Sequence, residues 1–151
     1  MVPATANLVA ECIISLSHEK HAPVSNLKLQ KLLYYSQAWH LALFKHPLFN
    51  EEIEAWVHGP VVPEIFRRYR DCKWSPIPDS KLNSVCQFRP HLEEVWRVYG
   101  NFAAFELERL THSEDPWKNA RVGIASDASS HNIISKSSMR DYYAARLNGK
   151  A

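Results

Sequence analysis

The chain has 151 residues, enough for one domain with one substantial core, and its 46% hydrophobic content with five Trp excludes a wholesale disordered chain. Eighteen basic residues against sixteen acidic ones give a net charge of +2 without a polybasic block, so nothing here is built to neutralise many phosphates. No apolar run approaches the ~18 residues of a membrane span, the N-terminus lacks the basic and apolar regions of a secretory leader, and Cys12, Cys72 and Cys86 form no CxxC pair. The expectation is a cytoplasmic protein, without a membrane partner, folded as one domain over residues 1–151.

Leu8, Val9, Cys12, Ile13 and Leu16 recur at helical spacing and predict a first helix over Ala4 to Leu16, with Pro3 at its start. The polar residues from Ser17 to Pro23 predict a connector. Ser25 is a candidate N-cap for a second helix reaching about Phe44 and closed by Pro47. Along that helix Leu29, Leu32, Leu33, Ser36, His40 and Leu43 form one stripe, which Tyr35, Ala38, Trp39 and Ala42 widen, while Gln30, Tyr34 and Gln37 lie opposite. A helix so apolar must be packed on more than one side.

Ile53 to His58 reads as a strand stopped by Gly59-Pro60. Pro63 then opens a short helix through Ile65, Phe66 and Tyr69 to Asp71. Pro76, Pro78 and Pro90 make Trp74 to Pro90 a loop with one strand near Val85 to Phe88, which pairs most economically with the Ile53 strand. The helical spacing of Leu92, Val95, Trp96, Tyr99, Phe102, Phe105, Leu107 and Leu110 assigns His91 to Leu110 to the core, with Gly100 as a kink or break. Thr111 to Pro116 reads as a turn, Trp117 to Ala120 as a short helical turn and Ser126 to His131 as a polar loop. A last helix, capped by Ser137 or Ser138, carries Met139, Tyr142 and Tyr143. The fold class that follows is mainly α (α+β): a compact helical single domain with a small antiparallel hairpin or sheet.

The segments KLQKLLYYSQAWHLAL (Lys28 to Leu43), EEIEAWVHGPVVPEIFRRY (Glu51 to Tyr69), LTHSEDPWKNAR (Leu110 to Arg121) and MRDYY (Met139 to Tyr143) resemble the Panacea domain, the family of SocA-like antitoxins and phage-associated GepA-type proteins. The order Gln-Lys-Leu-Leu-Tyr-Tyr, Trp-x-His-Gly-Pro-Val, Leu-Thr-His-x-x-x-Pro-Trp carries the resemblance, since any one run alone is an ordinary amphipathic segment. It implies a toxin-antitoxin role, with a cognate toxin protein, encoded beside the antitoxin, neutralised in a direct complex. A second implied partner is a Clp-type protease unfoldase, to which the antitoxin delivers its toxin as a proteolytic adaptor. Because the chain begins within a few residues of the shared domain, the resemblance implies no fused helix-turn-helix here. No cofactor and no enzymatic activity are expected.

The partner-binding candidates are Trp56, His58, Arg67, Arg68 and Tyr69, with Lys31 and Tyr34 on the second helix. An aromatic beside a rigid turn supplies contact area at little entropic cost. The plainer reading is that Gly-Pro ends a strand and Trp56 fills the core, that Lys31, Tyr34 and Gln37 form a solvated face, and that Tyr34 and Tyr35 are packed with their hydroxyls tied to neighbours. Arg67, Arg68 and Arg70 near Tyr69 and Trp74 also suit a phage-associated nucleic-acid-binding protein, although Glu64 and Asp71 bracket them and nucleic acid is disfavoured as a partner. A third alternative, a Cys/His hydrolase using Cys12 with His40, His58 or His112 and Glu114 or Asp115, needs a reactive thiol, whereas Cys12 falls within an apolar stripe. Thr111 or Ser113 is read as a helix cap near His112 and Asp115. His18 and His21 have no second ligand cluster, so no metal site is assigned.

Overall fold

One helix with almost no solvent face organises the chain. In the computed structural model, which describes residues 3–80, 82 and 86–147, the elements run α1 (Ala6–Glu19), α2 (Asn26–Phe44), β1 (Ile53–Trp56), β2 (Gly59–Val61), α3 (Pro63–Arg68), a 3₁₀ turn (Arg70–Cys72), α4 (Arg89–Tyr99), α5 (Ala104–Ser113), α6 (Asp115–Ala120), β3 (Ile133–Ile134) and α7 (Lys136–Leu147). Helix α2 begins as predicted, with Ser25 Oγ accepting from Lys28 N at 3.3 Å. It closes on Lys45, whose left-handed backbone sends its N–H to Leu41 O. Fourteen of its nineteen residues are buried, because α1, α3, α4, α5, α7 and β2 all pack on it.

The polar residues of α2 are therefore inside, not on the solvated face the sequence suggests: Gln30 and Gln37 are fully buried, and Lys31 and Tyr34 are 1% exposed. Burial of an amide is tolerated only where its hydrogen bonds are replaced. Gln37 satisfies this on the loop after α2, donating Nε2 to Phe49 O at 2.7 Å and accepting at Oε1 from Leu48 N at 2.8 Å. Gln30 donates to Asn26 Oδ1 at 3.0 Å and accepts from Val62 N at 2.9 Å, and Asn26 donates to Phe66 O. These three side chains fasten the ends of the β1–β2 unit to α2.

The sheet is three-stranded and antiparallel, in the order β2-β1-β3. Gly59-Pro60 does not stop a strand; it begins the returning one, after a two-residue turn at Val57 and His58, with Trp56 opposite Gly59 and Ala55 opposite Pro60. Proline is accommodated because β2 is an edge strand. The second partner of β1 is β3, paired through Ile53 with Ile134, not the predicted strand near Val85 to Phe88. Residues 83–85 of that segment lie outside the described residues, and 86–88 are loop and turn before α4.

Several boundaries move for local reasons. The cap of α1 is Thr5, whose side chain accepts from Leu8 N, so Pro3 lies outside the helix, and α1 runs on to Glu19 with Ser17 buried in it. The hydroxyls of Thr111 and Ser113 donate back to Glu108 O and Leu110 O inside α5, leaving α6 to start at Asp115 with no side-chain cap. Ser135, not Ser137 or Ser138, caps α7 by accepting from Ser138 N. The break at Gly100 separates α4 from α5, and it turns Phe102 and Phe105 out to 40% and 63% exposure.

Replacing Gln37 with Leu keeps the bulk of the side chain but orphans the Leu48 N–H and the Phe49 carbonyl. At about 1–3 kcal/mol for each buried unsatisfied group, the expected loss is about 2–4 kcal/mol in urea unfolding, with an unchanged denaturant slope.

Candidate partner-binding site

The three motifs of the sequence meet at one point. Gly59 has φ +108°, and a Cβ there would stand 2.6 Å from Lys31 Cε and 3.1 Å from Thr111 Oγ1. Only glycine combines that backbone angle with that proximity. The hairpin thus lies against the Gln-Lys turn of α2 on one side and the Thr-His turn of α5 on the other. From below, Trp117 Nε1 donates to Trp56 O at 2.8 Å and Arg121 Nη1 to Ala55 O at 2.8 Å. Arg121, 4% exposed, also donates to Ala125 O at 2.9 Å and to Ala128 O and lies over the Trp117 ring. His112 stacks on Trp117, with ring centroids 3.9 Å apart, and burial holds its ring below the ordinary histidine range and so neutral at pH 7.

A second buried network fixes α7. Tyr35 and Tyr143 both donate to Glu114 Oε1, at 2.7 and 2.9 Å, and Tyr34 is 3.0 Å from the Tyr143 hydroxyl, to which it must be the donor. Burial raises the Glu114 carboxyl while the two hydroxyls oppose that shift, and burial carries Tyr34, Tyr35 and Tyr143 well above the ordinary phenol range. The ring burial and tied hydroxyls read for Tyr34 and Tyr35 are what this network consists of.

Above this base the hairpin tip and α3 present a mixed aromatic and cationic surface. Trp56 is half-buried; its ring sits edge-on to Phe66 and His131 at 5.3 Å each, and its Nε1 donates to Glu54 Oε1. His58 is exposed beside Glu108, with Nδ1 3.2 Å from Oε2. Arg67 is exposed and makes no ion pair among the described residues. Arg68 is occupied, donating to Asn7 Oδ1 and to Glu11 Oε2 and lying over the Tyr69 ring; Tyr69 itself is 9% exposed. The fold therefore brings Trp56 and His58 to one accessible face, leaves Arg67 exposed on α3, and removes Lys31 and Tyr34 from any surface. The same face includes Phe66, Lys73 and His131, which the sequence reading did not single out. His131 is 73 positions beyond His58 and had no local signal, whereas Phe66 was assigned to the helix interior.

The hydrolase alternative requires a thiol that solvent and a histidine can reach. Cys12 is 5% exposed, and its polar neighbour is Cys86: the Cys12 thiol donates to it, which pushes Cys12 up and lowers Cys86 to about 7. Among the described residues no group of three or more His, Cys, Asp or Glu is placed to hold a metal ion, and no helix is long and apolar enough to cross a membrane.

The arrangement is a small helical scaffold with a braced β-hairpin and one short helix at its surface. The family model described as "Antitoxin SocA-like, Panacea domain" matches residues 29–118, more than half of the chain, and the chain belongs to that family. Among curated proteins it is similar to "Antitoxin SocA" of Caulobacter vibrioides (strain NA1000 / CB15N), with 40% identity over 62 residues, 41% of this chain and 33% of that protein. The match thus spans about a third of that relative's length. No solved structure matches the chain.

Two predictions follow from the motif junction. Gly59→Ala is expected to cost about 1–3 kcal/mol from backbone strain alone, read by thermal or urea unfolding. Lys31 finds no hydrogen-bond partner for Nζ among the described residues, and burial lowers its amine from 10.5 to about 8. Below pH 8 both folded and unfolded chains hold the proton, and the folded state bears the full cost of the buried cation. Between pH 8 and 10.5 the unfolded chain binds more protons, so this group makes stability rise with pH. At about 1.4 kcal/mol per pH decade the cost is on the order of 3 kcal/mol. Lys31→Met should therefore stabilise the protein by about 1–3 kcal/mol at pH 7, a gain that shrinks towards pH 10.5; an equal gain at both pH values would contradict the assignment.

Proposed function

We propose that the protein neutralises a cognate protein toxin by binding it directly through the hairpin and α3 face, with Trp56, His58 and Arg67 as the contacts and Arg68 and Tyr69 holding α3 in place. Membership of the SocA-like antitoxin family supports the role. The observation that carries the choice of surface is the half-buried Trp56 and exposed His58 on a hairpin whose backbone is braced from three sides, with Arg67 exposed on the helix that follows. Rigid aromatic and arginine anchors at the centre of an interface contribute most of its affinity, and pre-organisation lowers the entropic cost of docking. On this reading the protein is a single antitoxin domain acting in the cytoplasm, its toxin is the product of the adjacent reading frame, and occlusion of the toxin is followed by delivery to a Clp-type protease.

Co-expression with the neighbouring product tests this. Growth rescue with co-elution from a size-exclusion column supports a direct complex, and rescue accompanied by Clp-dependent loss of the toxin supports delivery. A neighbour that is harmless alone and never co-elutes contradicts the reading. In the complex, His58→Ala combined with Arg67→Glu is expected to weaken toxin binding at least about tenfold, or about 1.4 kcal/mol, with the melting temperature unchanged, since neither side chain is buried.

A further inference from the structure

A cleft of about 360 Å³ opens next to this face, between the start of α2, the hairpin tip and the segment after α3. Leu27, Phe66 and Trp74 supply its apolar lining, and His58, Arg70 and Lys73 its polar lip. A second cleft of about 260 Å³ shares Leu27, His58 and Phe66 with it and continues to Trp56 and His131. No carboxylate lines either one. Arg70 and Lys73 are exposed and make no ion pair among the described residues.

The lip is built at a conformational cost. Lys73 holds φ 54° and ψ −120°, outside the regions an L-residue ordinarily occupies. Its consequence is Trp74, left 82% exposed at the mouth of the cleft. A tryptophan so exposed gains nothing in the isolated domain, yet it is the residue type that contributes most at the centre of an interface.

We infer that this cleft takes a short acidic segment of a protein partner, which seats one aromatic or large aliphatic side chain against Phe66 and Trp74 and lays its carboxylates on Arg70 and Lys73. Charge complementarity selects the occupant: two unpaired cations and no carboxylate favour an acidic chain over a basic one, while the apolar floor requires an anchor between the acids. The volume lies at the small end of ligand pockets, roughly 300–1,000 Å³, and suits one or two side chains rather than a folded surface. The inference deepens the antitoxin reading and rests on it only for the name of the partner.

The test is selection of a random-peptide phage library on the purified full-length chain, followed by fluorescence anisotropy of the enriched peptides. Enriched sequences should pair Asp or Glu with Trp, Phe or Leu. Arg70→Glu with Lys73→Glu, and separately Trp74→Ala, should each weaken their binding at least tenfold, while Leu43→Ala on the opposite side of the molecule should not. All these residues are exposed, and equal melting temperatures confirm folding. Basic or charge-neutral consensus sequences, binding indifferent to the two cleft variants, or tighter binding of a labelled single-stranded oligonucleotide than of any peptide would overturn the proposal. Growth assays on the same variants separate it from the antitoxin reading. Cleft-dependent acidic peptides without any toxin rescue would leave the cleft standing and refute the antitoxin role; rescue without such peptides would do the reverse.

Discussion

The approach of Gly59 to the Lys31 side chain is the constraint on which the rest depends. A hairpin of nine residues, Ile53 to Val61, is not stable alone, and here each of its sides is held by a different helix. Gln30 takes the Val62 amide, Trp117 and Arg121 take the Trp56 and Ala55 carbonyls, and the absence of a Cβ at Gly59 lets the strand come down onto α2 and α5. The buried amine of Lys31 is a cost accepted at this junction, its aliphatic stem serving as packing material beside the glycine.

A division of labour between motif and rim follows. The residues that carry the family resemblance are largely interior: Gln30, Lys31, Tyr34, Tyr35, Gly59, Pro60, Thr111 and Trp117 are all buried. Of the residues proposed to meet a partner, Trp56 and His58 stand within the second motif and Arg67 within its segment, while Arg70, Lys73 and Trp74 lie just beyond it. Substitutions on such a rim leave the hydrogen bonds and packing under the hairpin intact, so contact chemistry can change while the scaffold stays the same.

Helix existence was legible because periodicity is local. The stripe of Leu29, Leu32 and Leu33, the Ser25 cap and the Gly100 break each involve residues a few positions apart, and each holds in the structure. The hairpin was half legible. Its first strand showed in Ile53 to Trp56, but Gly-Pro is ordinarily punctuation, and only an edge position with its far side covered makes it a strand. The two-residue β3 had no signature at all, since it is a strand only because β1 lies beside it.

The candidate site divides the same way. Trp56, His58 and Arg67 could be proposed from residue type next to a turn, whereas Lys31 and Tyr34 were misplaced because polar spacing on a helix normally marks water, and here it marks backbone groups awaiting partners. By itself the sequence determined the main helices, the Ser25 cap, the Gly100 break and a family-specific order of motifs, because these are set by steric and periodic rules acting over a few residues. The tertiary structure alone decided that the polar side of α2 is interior, that three distant motifs close on one glycine, and that Trp74 stands free over a cationic cleft. Those facts depend on partners from 11 to 109 positions away in the chain, and no local pattern encodes that.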